Sequence, residues 1–178
     1  MTGIKEEMRV PYKALDEFTY EVLVRVGVPP GDAHIITDVL SQTNLRGVET
    51  HGTDMLPNYV ERLSTGVLNP KPNMQIVKET SATALIDGDH GLGQVTSVFG
   101  MKVAIKKARE VGIGWVNIFN SGHQGALAYY SLMAAAEDMI GIATTTTSRV
   151  MSPWASREPI ATNSPIAFAV PTKSYKTV

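Results

Sequence analysis

The pentapeptide Asn69-Pro70-Lys71-Pro72-Asn73 divides the chain into two kinds of pattern. Two prolines at alternate positions remove backbone N–H donors and push the residues before them toward extended conformations, so no helix passes through this stretch. Upstream, apolar residues recur at helical spacing; downstream, the period shortens to that of strands and then alternates with helices. The pattern predicts a mixed α/β chain, a layered mixed sheet flanked by helices, in which residues 1–72 form a helical N-terminal region and residues 73–178 the sheet-bearing one.

Within the first region, Met1 to Met8 read as a loose leader. Val10-Pro11-Tyr12 then opens a helix whose apolar positions are Leu15, Phe18, Val22, Leu23 and Val26, and Gly27 stops it. Val28-Pro29-Pro30-Gly31-Asp32 is a turn with an acidic start signal, followed by Ile35, Ile36, Val39 and Leu40 at helical spacing to about Leu45, which makes a helical hairpin. A short helix over Leu56 to Leu63 buries Tyr59, Val60 and Leu63 before Gly66 ends it. In the second region Met74 to Lys78 and Ala82 to Ile86 read as a β-hairpin. Asp87-Gly88-Asp89-His90-Gly91-Leu92-Gly93 reads as a structural turn with His90 exposed, because its glycine spacing fits neither a P-loop nor Gly-x-Gly-x-x-Gly. A helix over Gln94 to Val111, with Val98, Met101, Ala104, Ile105 and Ala108 facing the core, leads to a strand from Ile113 to Phe119. A small-residue helix over Ala126 to Ala136 and strands at Met139 to Ala143 and Ile166 to Val170 complete the alternation.

Composition narrows the classes. A formal net charge of −1 with 19% charged residues offers no basic footprint for nucleic acid. The polar N-terminus lacks the apolar core of a signal peptide, and no stretch has bilayer-spanning length, so a cytoplasmic chain with no membrane partner is expected. The absence of cysteine removes disulfides, thiolate nucleophiles and thiolate metal sites.

Chemistry concentrates in two places. Asn120-Ser121-Gly122-His123-Gln124-Gly125-Ala126 sets an imidazole in a glycine-broken turn between strand and helix. There, free N–H groups and the helix dipole would favour an anion and a neutral His123; the plainer reading is a turn with a capping histidine. Arg46-Gly47-Val48-Glu49-Thr50-His51-Gly52-Thr53-Asp54-Met55 places a second imidazole among hydroxyl, carboxylate and guanidinium groups, or else is a solvated loop. The five hydroxyls of Thr144 to Ser148 are either a half-exposed strand or a strand end offering donors to a polar ligand.

These motifs, with Gly66-Val67-Leu68-Asn69-Pro70, Asp87 to Gln94 and Thr162-Asn163-Ser164-Pro165, stand in one order from about Met8 to the end. Together they resemble the malate/L-lactate dehydrogenase family of the sulfolactate dehydrogenase type, which also holds enzymes resembling ureidoglycolate dehydrogenase and a cyclic-imine reductase. The resemblance implies a non-Rossmann, mixed-sheet fold, NAD or NADP as cofactor, a small 2-hydroxy or 2-keto acid as substrate and a homodimer. It implies His123 as the acid/base, His51 with Thr50 as a proton relay, and a cofactor strip of His123, Gln124, Gly125, Ala126 and Leu127, with Thr147 also touching the cofactor. Thr162 and Asn163 fall beside the substrate, and no metal is implied.

Two departures stand out. Met55 occupies the place where the family commonly has an arginine for the substrate carboxylate, which leaves Arg149 and Arg157 as candidates for that role. The chain is also about half the length the family needs, which predicts a partial chain. Two other functions compete: a metal-dependent hydrolase using His51, His123 and a carboxylate such as Asp54 or Asp87, and an inactive fragment with an assembly role.

Overall fold

The structure, a computed structural model, describes residues 9–173; the leader expected over Met1–Met8 lies outside them. Helices α1 (Tyr12–Arg25), α2 (Pro30–Leu45) and α3 (Leu56–Ser64) occupy the first part, with two 3-10 turns at Glu49–His51 and Thr53–Met55 between α2 and α3. Proline at the first turn of α2 and of α3 supplies a preset φ where no intrahelical donor is needed. The buried side of α1 differs from the expected stripe. It runs through Thr19 and Leu23, both fully buried, and leaves Phe18 59% exposed. The rotation follows from the contacts with α2, where Tyr20 stacks on His34 at 4.3 Å and Ser41 bonds the Asp16 carboxylate.

Strands β1 (Gln75–Glu79), β2 (Thr83–Gly91) and β3 (Trp115–Ser121) form one sheet, with β1 antiparallel and β3 parallel to β2. The crossover between the parallel pair is helix α4 (Gly93–Val111). Helix α5 (Ala128–Ala135) follows. Two smaller antiparallel pairs then form, β4 (Gly141–Thr144) with β7 (Ile166–Ala169) and β5 (Arg149–Met151) with β6 (Ala161–Thr162). The mixed α/β architecture is the expected one, divided into three small sheets.

Asp87 to Gly91 is not a turn but the end of β2, its ladder with β3 resuming at Gly91↔Ser121 after a shift. Asp89 and His90 sit at φ 48° and 55°, which is why the sequence there looks like a loop. Asp89 accepts from Asn69 Nδ2 and Asn73 N, both at 2.9 Å, and so ties the proline linker to the sheet. The threonine run leaves the sheet at Thr144, and the short β5–β6 pair adds strands that the sequence pattern did not announce, β6 starting the polar segment Thr162-Asn163-Ser164-Pro165.

Two apolar clusters form the core. One joins Leu23, Ile36, Leu40, Leu56, Tyr59 and Val95, with Met55 packed against it; the other joins Val98, Leu127 and Tyr130. Helix α4 contributes to both. Among the described residues no helix is long and apolar enough to cross a membrane.

Candidate active site

His123 lies in the extended segment after β3, where the turn is enforced from below by the start of α4. A Cβ on Gly93 would stand 2.3 Å from Gly122 O and 2.4 Å from His123 C and O, so glycine alone allows the helix to touch this backbone. Gly122 N also donates to Gly91 O at 2.9 Å, which holds the segment to the end of β2. The helix that follows, α5, starts at Ala128 and not at Ala126. His123 is therefore five residues ahead of that helix, and the helix dipole invoked for it acts from further away than expected.

The half-buried His123 ring is held from the side by α3. Tyr59, fully buried, meets His123 Nδ1 through its hydroxyl at 2.7 Å, and Gln94 Nε2 donates to the same hydroxyl at 2.8 Å. Nδ1 is thereby engaged, and Nε2 is left for a ligand. Burial lowers the His123 pKa below its ordinary value, with further lowering by His51 and by Arg62. The neutral ring expected of His123 is thus favoured by desolvation and by neighbouring positive charge. Burial pushes the Tyr59 hydroxyl up to about 12, so at neutral pH it stays protonated.

His51 faces His123 at 5.6 Å between ring centroids, with a 41° tilt. It sits in the first 3-10 turn, and Thr50 Oγ1 lies 3.1 Å from its Nδ1. That loop is fixed to α2 by Asn44, whose Nδ2 donates to Thr53 Oγ1 at 2.6 Å and whose Oδ1 accepts from Thr53 N at 3.1 Å. Gly125, at φ 74°, brings the strip past the His51 carbonyl, so close that a Cβ on Gly125 would stand 3.4 Å from that oxygen. Thr50, His51 and His123 therefore gather into one group, although 72 residues separate His51 from His123 in sequence.

The rest of the strip has other partners. The Gln124 carbonyl accepts from the Tyr130 hydroxyl, and Leu127 is buried in the second cluster. Ala126 borders a cavity of about 270 Å³ between α2 and α5, together with Asp38, Gln42, Arg46, Ala128 and Tyr129. The Tyr129 hydroxyl donates to Asp38 Oδ2 across it at 2.5 Å.

Thr147, Thr162 and Asn163 form a second group. Thr147 Oγ1 donates to Asn163 O at 3.1 Å and accepts from Asn163 N at 3.3 Å, and Thr162 Oγ1 pairs with Ser164 Oγ at 3.1 Å. All three residues are exposed, and among the described residues no hydrogen bond or ring contact joins them to the histidines. Arg149 and Arg157 are exposed as well. The cation whose charge acts on both His123 and Tyr59 is Arg62.

Tyr59, Gln94 and Arg62 were not singled out by sequence reasoning as site residues. Tyr59 reads as core because it occupies an apolar stripe, yet a buried tyrosine hydroxyl calls for a partner, and Arg62 lies three residues on, on the same helical face. Asp87, offered as a metal ligand, spends one oxygen on Asn120 Nδ2 at 3.1 Å and Asp89 N at 2.9 Å. Among the described residues no group of three or more His, Cys, Asp or Glu is arranged to hold a metal ion. The hydrolase reading lacks a donor set.

Residues 10–178 match the family model described as malate/L-lactate dehydrogenase. Malate dehydrogenase of Pyrococcus horikoshii is 46% identical over 166 residues, which are 93% of this chain and 46% of that protein. L-sulfolactate dehydrogenase of Methanocaldococcus jannaschii is 46% identical over 156 residues, 88% of this chain and 45% of that protein. The solved structure of the Pyrococcus horikoshii malate dehydrogenase superposes with a TM-score of 0.92 at 45% identity, over 98% of this chain and 51% of that one. The chain spans about half the length of these relatives.

Proposed function

The chain belongs to the malate/L-lactate dehydrogenase family, and from that premise we propose that it carries the acid/base half of an NAD- or NADP-dependent oxidoreductase acting on a small 2-hydroxy or 2-keto acid. The observation that supports this most is the His123 ring: half-buried, held at Nδ1 by Tyr59, biased to its neutral form and facing His51. A neutral imidazole whose Nε2 faces the ligand is the base that removal of a hydroxyl proton requires at neutral pH, when its own proton sits on Nδ1. The cofactor, when bound, supplies the acceptor or donor of hydride.

In this reading His123 Nε2 takes the proton of the substrate hydroxyl as the C–H bond breaks, and returns it in the reducing direction. His51, oriented by Thr50, relays the proton outward. Arg62 holds the substrate carboxylate in place of the arginine that Met55 replaces, and Thr162 and Asn163 orient the substrate from the second group. The strip from His123 to Leu127 and Thr147 would hold the cofactor. The residues present fit part of such a group: Ala126 and Ala128 leave room beside the strip, and Arg46 and Gln42 offer a cation and an amide to phosphate and ribose. A cavity of about 270 Å³ lies just below the range of small-molecule pockets, so it suits a portion of a dinucleotide.

The test is His123→Ala assayed for reduction of oxaloacetate and pyruvate. Loss of an acid/base group predicts a fall in kcat of about 10²–10⁴-fold with cofactor affinity within a few-fold. Near wild-type turnover would show the assignment to be wrong. In the same assay Arg62→Met should raise KM for the acid more than it lowers kcat; an unchanged KM would place the carboxylate elsewhere. A homodimer in the cytoplasm completes the proposal, with light scattering at twice the 19.2 kDa chain mass as its check and the single-chain mass as its contradiction.

A further inference from the structure

Tyr59 and Gln94 are both at 0% exposure and stand one behind the other on His123. A tyrosine hydroxyl has one hydrogen to give. With the Gln94 NH2 donating to its oxygen, Nδ1 is the acceptor in reach of that hydrogen, and giving it there leaves the neutral ring's own proton on Nε2. If the amide turned by half a rotation, its carbonyl would face the hydroxyl instead. Tyr59 would then donate to Gln94 and accept from Nδ1–H, and Nε2 would present a lone pair.

Gln94 Oε1 is buried without a hydrogen-bond partner, so rotation exchanges one unpaired buried atom for another. Among the described residues Thr19 Oγ1, Thr37 Oγ1 and Ser97 Oγ are buried without a partner as well; what distinguishes Gln94 is that its other amide atom bonds the tyrosine that holds His123. Thr96, two residues on in α4, shows the ordinary case, its hydroxyl satisfied by Gly93 O at 3.1 Å and Ser121 Oγ at 2.6 Å.

We propose that Gln94 is a positioning residue which, through the Tyr59 hydroxyl, sets the nitrogen of His123 that carries the proton. A hydroxyl about to lose its proton needs the Nε2 lone pair, which the orientation with the Gln94 carbonyl toward Tyr59 provides; the proton taken makes the imidazolium, whose Nε2–H then holds the keto oxygen and is the proton returned in the reducing direction. In the other orientation the neutral ring's Nε2–H can hold an accepting oxygen but has no proton to spare. Passing between the neutral tautomers removes a proton from Nε2 and places one on Nδ1 by exchange with water, with no change in net charge. Tyr59 transmits the direction of the hydrogen bonds and remains protonated in both states. The functional meaning rests on His123 being the acid/base of a hydroxy–keto pair; the tautomer control itself requires no ligand.

The experiment is nitrogen-15 NMR of the histidine side chains in the 178-residue protein at about pH 8, well above the lowered His123 pKa, so that the His123 ring is neutral. His123 is assigned among the four histidines by comparison with His123→Gln. In the wild type, Nδ1 should resonate at the downfield, unprotonated position and Nε2 at the protonated one. Gln94→Glu replaces the amide with a carboxylate that only accepts, so the two resonances should exchange positions. Tyr59→Phe should collapse the preference to an averaged mixture, as should Gln94→Met, which serves if the glutamate variant does not fold. A folded Gln94→Glu or Gln94→Met protein whose His123 keeps the wild-type pattern would overturn the proposal. Failure to bind NADH or NADPH alongside the expected exchange would reject the dehydrogenase reading and leave the tautomer control standing.

Discussion

His123 is the residue at which packing and chemistry meet. Its folded pKa lies below the ordinary value of 6.5 because burial, His51 and Arg62 all act against the imidazolium. The linkage sign follows: the unfolded chain binds the proton more readily than the folded one, so stability gained at this site is complete above about pH 6.5 and is lost as pH falls through the lowered folded value. Thermal denaturation of wild type and His123→Gln between neutral and mildly acid pH should therefore give a shallower loss of stability for the variant. Parallel curves would mean that the folded ring titrates as it does in the unfolded chain. The same environment sets the form available to chemistry. A ring kept neutral by desolvation has no extra proton to shed, and its tautomer then decides whether Nε2 can act as the base. Met55, by contrast, packs against the first apolar cluster.

At the scale of elements, the site depends on how closely α4 approaches the segment after β3. A methyl group on Gly93 would overlap the Gly122–His123 backbone, so Gly93→Ala should destabilise the protein by about 1–3 kcal/mol, in the manner of an overpacked core, and shift His123 relative to Tyr59. An unchanged melting temperature would show that the helix start can move away freely. Helices α1 to α4 were legible because proline and glycine punctuate them and their apolar residues repeat every three or four positions. The strand pair β5–β6 was not, since strands of three and two residues, all exposed but Ala161, carry no period of their own and form only through each other. The end of β2 was hidden for a related reason, its aspartates and glycines suggesting a loop while β3 alongside supplies the ladder. In the site, the glycine-flanked His51 and His123 stood out in the sequence. Tyr59 did not, because the partner that makes it polar lies 64 residues further along the chain.

Across the whole molecule, the candidate site lies where the two apolar clusters adjoin. Tyr59 and Val95 belong to the first and Leu127 to the second, and His123 is suspended between them. The pair β4–β7 packs Ala143 and Ala167 against the second cluster but leaves Ile142, Ile166 and Phe168 between 41% and 62% exposed on its other face. A strand pair that is apolar on both faces is built to be covered on both, which agrees with the proposed self-association. The proposed role of the His123 strip and the cavity beside it is to hold a nicotinamide dinucleotide. Fluorescence titration of the folded 178-residue protein with NADH and with NADPH tests it most directly. Saturable binding to one or both, reduced by a substitution that fills the strip such as Gly125→Val, is the predicted result. A folded protein that binds neither would contradict the claim.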